Sequence, residues 1–286
     1  MGRPNWWKLE RYGPLVTDPR VKAVPVAWAG LMGEWTDGLR AAGLSRETVA
    51  LRRAHVAQLA RALGSSPGEV TRAALVEWLG SRDWQRETRR AVRSSLRSWW
   101  RHVGRPELAD AVPMVRPGDV RPRPLPDDAL TSALMVADER VTLMLRLAAE
   151  AGLRRGEIAR IHASDLGTDL LGAVLRVRGK GAKERTVPIG AGLAAAVRLR
   201  AKEGWLFPGN DGGHLSPRWV GKLMSKTLPE GWTPHTLRHR FASRAYGATS
   251  DVVGVSRLLG HASVATTQRY VATDADRLRR VAAAAA

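Results

Sequence analysis

"AVLRVRGKGAKERTVPIG", residues 173–190, decides how the rest of the chain is read. Apolar and polar residues alternate, β-branched residues are frequent, and Gly179-Lys180-Gly181 supplies a turn. A period of two with a glycine turn predicts a β-hairpin, Ala173–Arg178 paired with Glu184–Ile189. Nearly everything around it reads as helix. Upstream, Asp127–Ala137 and about Glu139–Ala151 are helical, and "AGLRRGEIARIHASDL" is a turn entering a short helix. Downstream, the chain from Ala191 on is helical apart from "FPGNDGGHLSP".

Residues 24–103 contain helices only. The first spans roughly Val26–Ala42. The second follows Ser45, whose side chain suits an N-cap, and stops at Gly64. The third is "TRAALVEWLG", and the fourth follows Asp83 and runs to Val103. On that fourth helix Val92, Leu96, Trp99 and Val103 form one apolar stripe. Arg86, Arg90, Arg93, Arg97 and Arg101 form another, roughly 130° away at ~100° per residue. Five arginines with only Glu87 nearby would repel one another in water, so the stripe is expected to meet phosphates. Residues 107–125 hold several prolines and arginines and read as an extended linker. The expected organisation is an irregular arm (1–23), a helical domain (24–106), the linker (107–125), a second domain (126–273) and a tail (274–286).

The formal net charge is +19. Residues 1–126 carry 22 basic and 12 acidic side chains (+10). The remaining 160 carry 24 and 15 (+9). Two equally basic bodies suggest a clamp around a polyanion, most simply duplex DNA. The absence of cysteine excludes disulfides, thiolate chemistry and cysteine-ligated metals. No apolar run reaches the ~18 residues of a membrane span, and the N-terminus has no signal-peptide core. A bacterial cytosolic or nucleoid location is expected.

Six polar residues stand out by context: Arg154, Lys180, His235, Arg238, His261 and Tyr270. Each alone has an ordinary structural explanation. Together their settings resemble the tyrosine recombinase family of phage integrases and Xer-type recombinases. The first motif is Gly152-Leu153-Arg154 with Glu157, and Gly179-Lys180-Gly181 is the second. His235, Leu237, Arg238 and His239 form the third. Leu259-Gly260-His261, with Tyr270 nine residues on, is the fourth. Ser164, before Asp165, departs from the aromatic residue that the family often has there.

The resemblance implies a mainly α, two-domain, C-shaped DNA clamp. It has a SAM-like helical domain and an α+β breaking–rejoining domain, without an arm-binding domain. It implies that Tyr270 forms a covalent 3′-phosphotyrosine, while Arg154 and Arg238 grip the nonbridging oxygens. Lys180 would protonate the 5′ oxygen, His235 would assist proton transfer, and His261 would hydrogen-bond the phosphate. Glu157 would orient Arg154 or its helix, or form a surface salt bridge. No metal, ATP or other cofactor is expected. The implied partners are double-stranded DNA core sites, a homotetramer on synapsed DNA working through a Holliday junction, and an accessory excision factor. The tail, "RLRRVAAAAA", resembles tags gripped by bacterial ATP-dependent proteases; docking on a neighbouring protomer is the alternative. Phage or mobile-element integration and excision is the favoured role, and host Xer-type resolution the alternative. A non-catalytic DNA-binding protein, or a hydrolase with metal on His235 and His239, are the rivals of other classes.

Overall fold

Side chains mark the helix ends of the N-terminal part. The Ser45 and Thr71 hydroxyls accept the backbone N–H groups of Thr48 and Ala74 at 3.3 and 3.2 Å. These bonds satisfy donors that a helix start leaves open. The computed structural model describes residues 23–116, 118, 123–179, 184–201 and 204–260, and the chain divides into two units, 1–119 and 120–286.

The described part of the first unit holds α1 (Val26–Ala41), α2 (Arg46–Leu63), α3 (Arg72–Gly80), α4 (Arg86–His102) and α5 (Pro106–Ala111). Its core is built on tryptophan. Trp28 stacks on Trp99 with ring centroids 5.5 Å apart, and Trp35 meets the same ring edge-on. Val92, Leu96 and Trp99 are buried as their stripe predicts, Val103 only partly. Trp100, off that stripe, is equally buried, because α4 packs against both α2 and α5. Asp83 does not cap α4, which starts after Gln85. Instead the Arg89 guanidinium folds back onto the carbonyls of Arg82 and Trp84 at 2.8 and 2.9 Å and holds the approach outside the helix.

The extended linker expected over 107–125 is corrected at both ends. Helix α5 fills its start, with Pro106 in the first turn, where a missing N–H costs nothing. Leu108, Ala109 and Val112 are buried in the first unit's core. At the other end Leu125 is buried in the second unit, its N–H donating to the Thr236 carbonyl at 3.1 Å. Pro113 and Pro124 fall outside the helix, and the number of prolines in this stretch hides three apolar residues at helical spacing.

The described part of the second unit places α6 (Asp127–Val136), α7 (Glu139–Glu150), α8 (Arg155–Ala159), α9 (Ala191–Arg200), α10 (Pro217–Thr227), α11 (Pro234–Thr249) and α12 (Val252–Leu259) with one antiparallel sheet, order β1-β2-β3. Strands β2 (Gly172–Arg178) and β3 (Glu184–Pro188) are the expected hairpin, in register Arg178 with Glu184 and Leu175 with Val187. Strand β1 (Leu166–Asp169) was not expected, since "LGTD" carries no alternation. It pairs with β2 across a turn closed by the Asp169 carboxylate, which accepts the N–H groups of Leu171 and Gly172 at 2.9 and 3.0 Å. Leu175, Val187, Met144, Leu147, Phe207 and Met224 join one core between sheet and helices.

Candidate active site

The site begins at a glycine. After α7 the chain turns at Gly152, whose φ of +65° lies in the left-handed region. A Cβ there would sit 2.5 Å from the Phe241 ring of α11. The turn delivers Arg154 to the start of α8. The Glu157 carboxylate, one turn on, accepts both the Arg154 backbone N–H and its Nη1, each at 2.8 Å.

Two more guanidinium groups reach the same place. Arg185 of β3 donates Nη1 and Nη2 to the two Glu157 oxygens at 2.8 and 2.9 Å, and its Nε donates to the Leu258 carbonyl at 2.7 Å. Arg238 of α11 donates to the carbonyls of Gly152 and Leu259, and its Nη1 lies 3.9 Å from Glu157. Arg154 also reaches the Gly260 carbonyl at 3.4 Å. The last carbonyls of a helix lack intrahelical donors and carry partial negative charge, so cations at the end of α12 are stabilising. Glu157 is therefore a buried partner of Arg154 and not a surface salt bridge.

The exposures separate the roles. Side-chain exposure is 3% for Glu157, 1% for Arg238 and 13% for Arg185, but 40% for Arg154. Burial pushes the Glu157 carboxyl upward. The Arg185 hydrogen bonds, the Arg154 N–H and the charges of both arginines outweigh it and hold the group below its ordinary range. The cluster keeps two positive charges in excess and offers the Arg154 guanidinium to solvent. A planar cationic fork of this kind suits the nonbridging oxygens of a phosphate.

His235 lies in the first turn of α11 with part of its surface open to solvent; partial desolvation of the ring and the charges of Arg238 and Arg154 lower its pKa from 6.5. The His239 ring lies edge-on to it, centroids 4.4 Å apart, and accepts the Arg123 N–H at 3.2 Å. Desolvation and the charges of His235 and Arg238 lower its pKa to about 4. Among the described residues no three His, Cys, Asp or Glu side chains gather as metal ligands.

The structure thus brings Arg154 and Arg238 together, with His235 in their field. Lys180, His261 and Tyr270 lie outside the described residues. Arg185 was missed, although a signal existed. With a period of two it shares a strand face with Val187 and Ile189, and a cation on a core face demands a buried acid.

The α4 arginines behave unequally. Arg86 and Arg101 are exposed, and Arg90 pairs with Glu87 at 3.1 Å. Arg93 donates to the Pro113 carbonyl at 3.0 Å, and Arg97 bonds the Ala109 carbonyl and Asp110, both at 2.9 Å. The last two hold α5 and the segment after it. Among the described residues no helix is long and apolar enough to cross a membrane.

The second unit is helical, with a three-stranded sheet and a carboxylate-locked arginine cluster. Residues 127–277 match the phage integrase family, and the chain belongs to that family: it is a tyrosine recombinase, an enzyme that cuts and rejoins DNA strands site-specifically. It is 37% identical over 214 residues to tyrosine recombinase XerC of Methylobacterium sp. (strain 4-46), covering 65% of this chain and 67% of that one. It is 33% identical over 273 residues to XerC of Chromobacterium violaceum, covering 85% and 90%. Two solved structures share the fold. One is XerH recombinase bound to a palindromic difH substrate (TM-score 0.66, 18% identity, 82% of this chain and 78% of that one). The other is a lambda integrase dimer bound to a COC′ core site (TM-score 0.65, 17% identity, 85% and 76%).

Proposed function

We propose that the six residues named from sequence carry out metal-free transesterification at a duplex core site. The Tyr270 hydroxyl attacks the scissile phosphorus, its proton passing to His235. The bond to the 5′ oxygen breaks as Lys180 protonates that oxygen, leaving a 3′-phosphotyrosine. Attack by a 5′-hydroxyl from the exchanged strand reverses the step, so the phosphodiester energy is conserved and no ATP is used. Arg154 and Arg238 hold the nonbridging oxygens, and His261 donates to one of them. The observation that carries this reading is the convergence of Arg154 and Arg238 beside Glu157, one guanidinium open to solvent and the other locked. Desolvation and the charges of Arg238 and Arg154 lower the His235 pKa, which favours the neutral ring that can accept a proton.

Two protomers bind each core site, each as a two-domain clamp, and four assemble at synapsis. The role is integration and excision of a phage or mobile element, with an accessory factor directing excision and the alanine tail read by an ATP-dependent protease. Likeness to the XerC proteins favours a second reading, resolution of chromosome or plasmid multimers. A duplex nicked beside the scissile phosphate traps the intermediate. The protein forms a covalent DNA adduct in chelator without ATP, and Tyr270→Phe forms none while binding DNA within a few-fold. An adduct with Tyr270→Phe would move the nucleophile elsewhere, and loss of the wild-type adduct in chelator would revive the metal reading.

A further inference from the structure

We propose that Arg185 is a positioning residue for phosphate activation: it fixes Glu157, and through Glu157 it fixes the guanidinium of Arg154. The inference rests on the transesterification reading above and adds a residue to it.

A carboxylate has two oxygens with about four acceptor positions. Glu157 fills four. Oε1 accepts Arg154 Nη1 and Arg185 Nη1, and Oε2 accepts the Arg154 backbone N–H and Arg185 Nη2. Half of the bonds that orient this buried group thus come from β3. Without them the carboxylate is free to swing toward Arg238, 3.9 Å away, or to take up a proton. Either change releases the rotation of the Arg154 fork, because Arg154 Nη1 is held by the same Oε1.

Arg185 also sets the depth of α12. Its Nε holds the Leu258 carbonyl, and its Cδ and Nη1 lie 3.1 Å from where a Cβ on Gly260 would stand. The Gly260 carbonyl is in turn an acceptor for Arg154. One side chain therefore spaces both supports of Arg154, the acid beneath it and the helix end beside it. Two of the Arg185 nitrogens are held by the ionised Glu157 carboxylate, whereas the Arg238 Nη groups donate to neutral carbonyls that a phosphate oxygen can replace, so Arg185 acts through Glu157 and is not itself a phosphate ligand. Among the described residues the charged groups facing Glu157 are Arg154 from the cap of α8, Arg185 from β3 and Arg238 from α11. Removing one of three cations raises the carboxyl's pKa.

The test compares Arg185→Gln and Arg185→Lys with the wild type in single-turnover cleavage of two nicked duplexes. One carries the ordinary scissile phosphate, the other an uncharged methylphosphonate at that position. On ordinary phosphate, Arg185→Gln should cleave roughly 100-fold more slowly, the order expected when one fixed donor to the developing charge is lost. Arg185→Lys, with a point charge and no fork, should fall between. On methylphosphonate, which has less charge to stabilise, the defect should shrink several-fold or more. DNA affinity should stay within a few-fold. The carbon-13 titration of the Glu157 carboxyl should move upward in Arg185→Gln, and so should the acid limb of its cleavage profile. Equal losses on the two linkages, or an unmoved Glu157 titration, would overturn the assignment. If Arg185→Gln does not fold, Arg185→Lys carries the same comparison. Failure of the wild type to form any adduct would sink the transesterification reading, while the titration would still decide what Arg185 does to Glu157.

Discussion

Five of the six arginines of α4 form one stripe in the first unit, and three arginines surround Glu157 in the second. Both groups are dense positive charge, yet they are stabilised differently. On α4 the charges are spread along a helix, and Arg90 keeps 45% of its side-chain surface. Water disperses most of their repulsion, and the pair with Glu87 contributes little. Around Glu157 the guanidiniums are stacked on one carboxylate and on the end of α12, with two of the three largely out of water. There a single acid holds the arrangement. A surface stripe can lose a member and stay folded, whereas a buried cluster cannot lose its counter-ion.

The sharpest way to break this contrast is to neutralise the acid in each place. Glu157→Gln should destabilise the protein by about 3–5 kcal/mol, the range for removing one partner of a buried ion pair. Glu87→Gln should stay within about 0.5 kcal/mol. Chemical denaturation of the two variants measures both, and equal effects would erase the distinction.

Within the stripe, Arg97→Ala should cost about 1.5–3 kcal/mol, because it unties α4 from Ala109 and Asp110 of α5. Arg101→Ala should cost almost nothing. The same denaturation curves decide whether Arg97 is structural.

Acid separates the two regions further, since arginines do not titrate near neutrality. The Glu157 pKa is depressed, so its contribution is present above the ordinary glutamate range and is lost as pH falls through the lowered folded value. His239 acts with the same sign by another route. Its unfolded ring takes a proton near pH 6.5, but the folded ring resists until about 4, so stability falls as pH drops through that window. His239→Asn should flatten the melting temperature between pH 6.5 and 4 relative to the wild type. An unchanged slope would place the His239 ring in water.

The smallest effect concerns DNA. Arg90→Ala and Arg101→Ala should each lower the slope of log affinity against log salt by roughly one unit if they meet phosphates. Arg93→Ala and Arg97→Ala should lower it less, because their guanidiniums are bonded within the unit. Four equal slopes would mean that both exchange protein carbonyls for phosphates on binding.

Much of this was legible in the chain because it was local. The β2–β3 hairpin and α2 announce themselves by period and punctuation, Ser45 before the helix and Gly64 after it. Their motifs single out Arg154 and Arg238, which the structure places beside Glu157. What escaped was non-local. Strand β1 is a strand only because β2 lies beside it. Helix α5 is too short for a period to show and is stabilised by packing on α4. Arg185 gains its meaning from Glu157 and Leu258, residues that no nearby pattern links to it.

The contact between Gly152 and Phe241 has a consequence for how this enzyme changes over generations. Any side chain at 152 must enter the space of the Phe241 ring, 2.5 Å from the new Cβ, and must adopt a left-handed backbone at a further cost of about 1–2 kcal/mol. Shrinking Phe241 relieves only the first penalty, and alone it leaves a void beside Leu259. Neither position can drift by itself. Random mutagenesis aimed at retargeting the recombinase should therefore return variants almost everywhere on α11 before it returns one at 152, and any that appears there should arrive with a second change at 241.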